Sequence, residues 1–403
     1  MRELWAAVRA RVIVDAAVTA AELLEAGARL SRRFGEDPEF ARAGGGNSSV
    51  KHRGTLYIKP SGTSLASMTS ATLMPLALEP LLDLAATDGE SAAGSDPVMR
   101  VAMAARLRDE GTRRPSVECV FHALIPRRFV IHTHPTTVNA LTCTSDGEAI
   151  AQELFGDDVL WIPYTDPGLP LAHEIARRRN GRWASASPAE VTLLQNHGLI
   201  VAGDDEAAII ERSEAVVATV GERIARGSRA AQPPPVAPTG AIGPLSRAIG
   251  GVLGRAGTTC AVVSDTSPDA VWVAGTSDGR AVVDAGPLTP DQIVYAGSWP
   301  LWLEAGVVAL ADGRLEPRLA DLVARHHGRT GEAPVIVIAE GLGVLATGTG
   351  PRQAETAREL YLDAVRVARG ALALGGIQAL GPAARAFIER WEAEAYRRGL
   401  DAR

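Results

Sequence analysis

Two periods of apolar residues organise this chain. Short runs rich in β-branched and aromatic residues, TLYIKP (55–60), RFVIHTH (128–134), DVLWIPY (158–164) and VTLLQNHGLIVAG (191–203), have the length of strands, and stretches of helical spacing separate them. The opening segment MRELWAAVRARVIVDAAVTAAELLEAG carries Glu3, Asp15 and Glu22 through its apolar positions, so it predicts an amphipathic helix rather than a secretory signal or a membrane span. The pattern breaks at RGSRAAQPPPVAPTGAIGP (226–244), where three consecutive prolines make a semi-rigid extended spacer. Beyond it, CAVVSD (260–265), AVWVAG (270–275), AVVDAG (281–286) and PVIVIAEGLGVLATG (334–348) predict buried strands, and 351–373 and 381–398 predict helices. The expected organisation is an α/β domain over 1–228 with a substantial sheet, a Pro-rich linker over 229–244, and a smaller α/β domain over 245–403. No internal repeat is evident. EGLGVLATGTG (340–350) lacks a GxGxxG opening a helix with an acidic residue about 20 positions on, so a tight turn between strands is expected there rather than a nucleotide loop.

Composition narrows the function classes. The 403 residues are 46% hydrophobic, enough to bury a core in each of two or so domains. The net charge of -6, with basic residues scattered, lacks the footprint of a nucleic-acid binder, so a small or anionic ligand must be held locally. Cys119, Cys143 and Cys260 stand alone without CxxC spacing, which argues against a disulfide framework and thiolate metal sites and fits a reducing cytoplasm. Lys51 and Lys59 are the only lysines among 41 basic residues, which restricts any Schiff-base chemistry to two positions.

Chemistry concentrates around histidine. In a strand over 128–134, His132 and His134 project from the same face, so two imidazoles can reach one ion. His197 ends another apolar run and precedes Gly198, a residue that permits a turn or a close backbone approach. Three neutral imidazoles with an open position make a zinc-type site of the catalytic kind. His52, His122, His173, His326 and His327 lack a partner at ligand spacing and are expected to be structural. Three polar clusters, GGGNSS (44–49), KPSGTS (59–64) and PSVE (115–118), supply glycines whose backbone N–H groups can face a ligand, together with Asn and Ser donors suited to an anion. Glu118 lies in the apolar context VECVFHAL, where desolvation and a nearby cation would tune its basicity.

GGGNSS, IKPSG, PSVE, HTHP, PYTDPG and NHG, in this order over about residues 10–225, resemble the class II aldolase/adducin family, whose members include zinc-dependent fuculose- and rhamnulose-phosphate aldolases and ribulose-phosphate 4-epimerase. Beyond the linker, TPDQIVYAG, GLGVLATGTG and ERWEAEAYRRGL resemble the aldolase half of long rhamnulose-phosphate aldolase/dehydrogenases, with the chain expected to stop before a dehydrogenase domain. The resemblance implies a three-layer αβα domain with a central, mostly antiparallel sheet. It implies a Zn2+ ion, or Mn2+ or Co2+ in its place, on His132, His134 and His197, with Glu118 as acid/base. Anion contacts would come from Gly46, Asn47, Ser61, Gly62 and Ser116. Val117 departs from the pattern, which commonly has a second serine there, and withholds one phosphate donor. A homo-oligomer, tetrameric by resemblance, is expected, with a sugar phosphate or hydroxyketone and an aldehyde as partners and no nucleic acid or membrane.

Those parts suit aldol cleavage of a ketose 1-phosphate to dihydroxyacetone phosphate and an aldehyde. The leaving aldehyde's oxygen needs a hydroxyl-bearing group of high pKa on a mobile segment, and Tyr164 in IPYTDPG is the candidate. The alternatives are a retro-aldol 4-epimerase, which in this family carries Asp where Glu118 stands, a Schiff-base aldolase on Lys59, and an adducin-like interaction module that would not need the histidines.

Overall fold

The computed structural model describes residues 19–87, 97–179, 189–227, 240, 242–254, 260–310 and 313–391. They fall into two compact units, Met1–Thr142 with Asp146–Arg223, and Cys143–Ser145 with Ile224–Arg403. The helix expected at the N-terminus is described as Ala20–Gly35, where Thr19 and Glu22 form a reciprocal cap that satisfies two orphan backbone donors. Residues 1–18 and most of the expected linker lie outside the described residues. Among the described residues no helix is long and apolar enough to cross a membrane.

The first unit is built on strands β1 (Asn47–His52), β2 (Thr55–Ile58), β3 (Met74–Ala77), β4 (Phe129–Thr133), β5 (Val159–Ile162), β6 (Ala189–Leu194) and β7 (Gly198–Gly203). Their order is β3-β2-β1-β4-β7-β6-β5, and only β5 and β6 run parallel, so the sheet is mostly antiparallel. VTLLQNHGLIVAG is a hairpin, β6 turning into β7, rather than one strand. Period two decides the faces. Val130, Ile200 and Ala202 face a core closed by the helices Leu78–Ala85, Pro97–Ala104, Cys119–Leu124 and Leu169–Arg179. The helix Ala20–Gly35 packs on the other face, and Gly27 permits it: a Cβ there would stand 2.2 Å from Val50 Cγ2.

The second unit holds β8 (Ala261–Asp265), β9 (Leu301–Leu303), β10 (Ile336–Ala339) and β11 (Gly343–Gly348) in the order β8-β11-β10-β9. The glycine-rich run is the β10–β11 turn, with Gly341 at φ 70°. One core packs Ile336, Ile338, Val344 and Ala346 against the helices Pro268–Gly275 and Pro351–Ala373, and another packs Val337, Ala339 and Leu345 against Ile242–Leu253 and Leu315–Thr330. AVWVAG and AVVDAG, expected as strands, are instead parts of the helices Pro268–Gly275 and Ser277–Ala285. Pro268 starts the first with its φ already helical, and the Thr276 hydroxyl accepts from Gly279 N to start the second. An apolar run of that length has no period of its own, and the caps decide it. The final helix is described as Pro382–Arg390, and the remainder expected to 398 lies outside the described residues apart from Trp391.

Four strands of the first sheet, β4-β7-β6-β5, share the pairing pattern of the second sheet, β8-β11-β10-β9, a likeness the sequence did not reveal. β4 pairs antiparallel with β7 as Thr133↔Leu199 through Phe129↔Gly203, and β8 pairs with β11 as Asp265↔Val344 through Ala261↔Gly348. β5 runs parallel to β6 as Ile162↔Leu194, and β9 runs parallel to β10 as Leu303↔Ala339. In both hairpin turns a residue of positive φ, Asn196 or Gly341, precedes one whose N–H returns three residues, His197 to Leu194 O and Leu342 to Ala339 O. In that register His132, His134 and His197 correspond to Ser264, Thr266 and Leu342. The side chains at equivalent positions differ in type, so the sequence does not disclose a repeat that is present in the backbone pairing.

Candidate metal centre

Three adjacent features of the first sheet converge on one point. β4 delivers His132 in its interior and His134 one residue past its end, and the β6–β7 turn delivers His197. Asn196, at φ 55°, turns the chain there; Asn is among the few side chains that tolerate this region. At Gly198 a Cβ would lie 2.4 Å from Thr133 O and 2.9 Å from His134 Cδ2, so only glycine lets the turn close on β4. Backbone bonds from His134 N to Phe40 O and from Thr136 N to Glu39 O, each 2.9 Å, fix the chain beyond the strand. Nothing in the sequence around Glu39 and Phe40 signals that role.

The nitrogens are arranged for a cation. His134 Nε2 lies 3.1 Å and His197 Nε2 3.3 Å from His132 Nε2. His132 is fully buried, and its Nδ1 lies 3.0 Å from Leu199 O. A carbonyl only accepts, so Nδ1 carries the hydrogen and Nε2 presents its lone pair to the other two rings. Burial first, and then His134 and His197, hold His132 well below the ordinary imidazole range, which keeps it neutral. Three imidazole nitrogens crowded at this distance repel one another unless a shared proton or cation lies between them. The donor set therefore fits a divalent ion, and the three histidines form a cluster able to hold one.

Glu118 stands beside this cluster, 3.5 Å from His197 Nε2 through Oε1 and 3.8 Å from His132 Nε2 through Oε2. It precedes the helix Cys119–Leu124, and only 7% of its surface is exposed. Asn47 Nδ2 donates to Glu118 Oε2, and Glu118 N donates to Ser116 Oγ at 3.2 Å. Asn47 is placed by the pairing of β1 with β4, directly opposite His132. Its amide therefore orients the carboxylate, a role in addition to the anion contact expected of it.

The three polar clusters come together in space. Lys59 Nζ donates to Gly44 O at 3.3 Å and Thr63 O at 2.5 Å, which ties GGGNSS to KPSGTS. Ser61 N donates to Arg114 O at 2.9 Å, beside a Pro60–Pro115 bridge that joins KPSGTS to PSVE. Gly46, at φ 72°, passes so close beneath β4 that a Cβ would meet His132 O at 2.7 Å. Gly62, at φ 74°, is exposed, Ser61 is half-buried, and Ser116 is buried, with its hydroxyl hydrogen left to donate elsewhere. Val117 is buried at the position where a hydroxyl was expected. Lys59, considered above for Schiff-base chemistry, is a clamp whose ammonium is already engaged; the buried Ser49–His122 bond of 2.8 Å behind β1 also went unforeseen.

Tyr164 is anchored at both its backbone and its hydroxyl. Its N–H donates to Gln195 Oε1 at 3.0 Å, which ties the tyrosine segment to the turn that bears His197, while its hydroxyl donates to Asp166 Oδ1 at 3.1 Å. Burial and the Asp166 carboxylate push the phenol well above its usual range.

Residues 25–221 match the class II aldolase and adducin N-terminal domain, and residues 244–397 match the aldolase class II second domain. An uncharacterized oxidoreductase of Bacillus subtilis strain 168, YuxG, is 25% identical over 401 residues, covering 91% of this chain; the chain spans 57% of that relative. Among solved structures, the N-terminal class II aldolase domain of a conserved Thermoplasma acidophilum protein is 25% identical with a TM-score of 0.42, over 49% of this chain and 92% of that one. The L-fuculose 1-phosphate aldolase of Glaciozyma antarctica PI12 is 18% identical with a TM-score of 0.34, over 53% and 78%. With both family domains matched in sequence order and a histidine cluster seated on the mostly antiparallel sheet, the chain belongs to the class II aldolase and adducin family.

Proposed function

We propose that this protein is a zinc-dependent aldolase that cleaves a ketose 1-phosphate reversibly to dihydroxyacetone phosphate and an aldehyde. The observation that carries the proposal is the approach of His134 Nε2 and His197 Nε2 to within 3.3 Å of His132 Nε2, with the Glu118 carboxylate 3.5 Å from His197 Nε2 and 3.8 Å from His132 Nε2. A bound divalent ion supplies Lewis acidity that stabilises negative charge developing on the substrate oxygens as the carbon–carbon bond breaks.

The chain's own residues divide the rest of the work. Glu118, oriented by Asn47, holds and moves the proton at the nucleophilic carbon. Gly46, Ser61, Gly62 and Ser116, on loops held together by Lys59, offer neutral donors to a phosphate. In the condensation direction Tyr164 gives its proton to the aldehyde oxygen, its phenol kept protonated by burial and by Asp166, and in cleavage it takes that proton back as its own passes to Asp166. An epimerase would share the histidines, but the Glu at 118 favours cleavage. An interaction module would leave the convergent lone pairs without a purpose. Metal analysis after zinc loading and desalting tests the reading: about one ion per chain is expected, lost in His134→Ala, and full retention by that variant would contradict the assignment.

A further inference from the structure

The end of the first sheet opposite the histidines is filled with charge. Arg127 pairs with Glu190 at 2.8 Å and with Asp204 at 3.2 Å, and Arg179 also pairs with Glu190. In the register that relates the two sheets, Glu190 corresponds to Val335 and Asp204 to Thr349. Both carboxylates are gone from the second unit, and at that end of its sheet lies a cavity of about 710 Å³ lined by the starts of β8 and β10 and the end of β11. The positions of the second unit that correspond to the metal ligands lie at the other sheet end, so the cavity is not a remnant of a histidine site.

Its walls are suited to an anion. Arg329, from the helix Leu315–Thr330, lies 5.7 Å from the Trp299 ring, and among the described residues no carboxylate pairs with it. Arg385, from the helix Pro382–Arg390, lies 5.0 Å from the centroid of the same ring and pairs at 3.7 Å with Glu389, whose carboxylate also accepts from Ser298 Oγ at 2.5 Å. His326 is 4% exposed in the wall, and its Nδ1 has no hydrogen-bond partner among the described residues. Glu332 stands at the exposed edge. Contact with an indole restrains a guanidinium group; Arg329 then presents its N–H fork with no carboxylate pairing it among the described residues, and Arg385 presents the N–H groups that Glu389 does not engage, a pair of donors suited to a phosphate or carboxylate. A volume of this size accommodates a metabolite rather than a lone ion.

We propose that the second unit binds a small oxyanion, a phosphate- or carboxylate-bearing metabolite, between Arg329 and Arg385 against Trp299. Hydrogen–deuterium exchange of the zinc-loaded full chain, with inorganic phosphate and with citrate as probes, locates binding directly. Protection is expected over 315–335 and 382–391, whereas protection confined to 44–64 and 115–118 would overturn the proposal. Arg329→Gln and Arg385→Gln, made separately, should each weaken the probe's Kd by about ten- to a hundred-fold, the worth of one charge-assisted pair. Protection by phosphate alone identifies a phosphorylated ligand, and protection by citrate alone a carboxylate. Wild-type Kd in both variants for both probes would sink the idea.

Discussion

Glu118 is the residue on which the proposed chemistry turns, and its surroundings separate two roles. Glu118→Gln keeps the shape and can still accept from Asn47, so metal content and fold should persist while turnover drops by about 10²–10⁴, the usual worth of a positioned general base. Loss of the metal in that variant would make Glu118 a ligand instead. Ser61 tests the anion pocket: with a phosphorylated hydroxyketone, Ser61→Ala should raise KM by about ten- to a hundred-fold with metal content unchanged. Comparable kinetics for substrates with and without phosphate would show that Val117 marks a pocket adapted to a less charged ligand. The convergence of the three histidines was legible in the sequence, because strand alternation puts His132 and His134 on one face and a following glycine marks the turn at His197. The clamp made by Lys59 and the orienting bond from Asn47 were not legible, since both depend on which loops meet in space.

Within the elements, β1 carries an electrostatic cost that can be measured. Lys51 is 3% exposed and donates to Arg127 O at 3.1 Å. Desolvation pushes its ammonium down from the ordinary lysine value to about 7, opposed in part by Asp204. The folded pKa therefore lies below the unfolded one, so between these values the unfolded chain binds the extra proton and stability rises with pH. Below about pH 7 both states are charged and the folded state bears the full penalty of burying the ammonium. Denaturant midpoints should climb from about pH 7 towards pH 10, and Lys51→Met should flatten that climb; an identical slope in the variant would refute this account of Lys51. Sequence reading found β1 only as a polar cluster, NSS, because a strand that faces a ligand lacks the apolar alternation that marks strands elsewhere. The same weakness of short runs turned AVWVAG and AVVDAG into expected strands, where Pro268 and the Thr276 cap make helices.

At the scale of the whole molecule, one strand arrangement has been used twice with different side chains. The first unit keeps histidines at one sheet end and ion pairs at the other, whereas the second has Ser264, Thr266 and Leu342 at the first end and a cavity at the second. The α/β class could be read from hydrophobic period and motifs, and the mostly antiparallel sheet from the family resemblance, but the order of elements only in part, since two expected strands are helices; the repeat could not, because register is set by backbone pairing and leaves no signature in residue type. The central claim, that a metal on the first unit's histidines drives aldol cleavage, is tested most directly by incubating the zinc-loaded chain with a panel of ketose 1-phosphates and measuring release of dihydroxyacetone phosphate. Release is predicted for at least one member of the panel, abolished by chelation and restored by zinc. No release from any ketose 1-phosphate at full zinc occupancy, or release that continues unchanged after the metal is stripped, would contradict it.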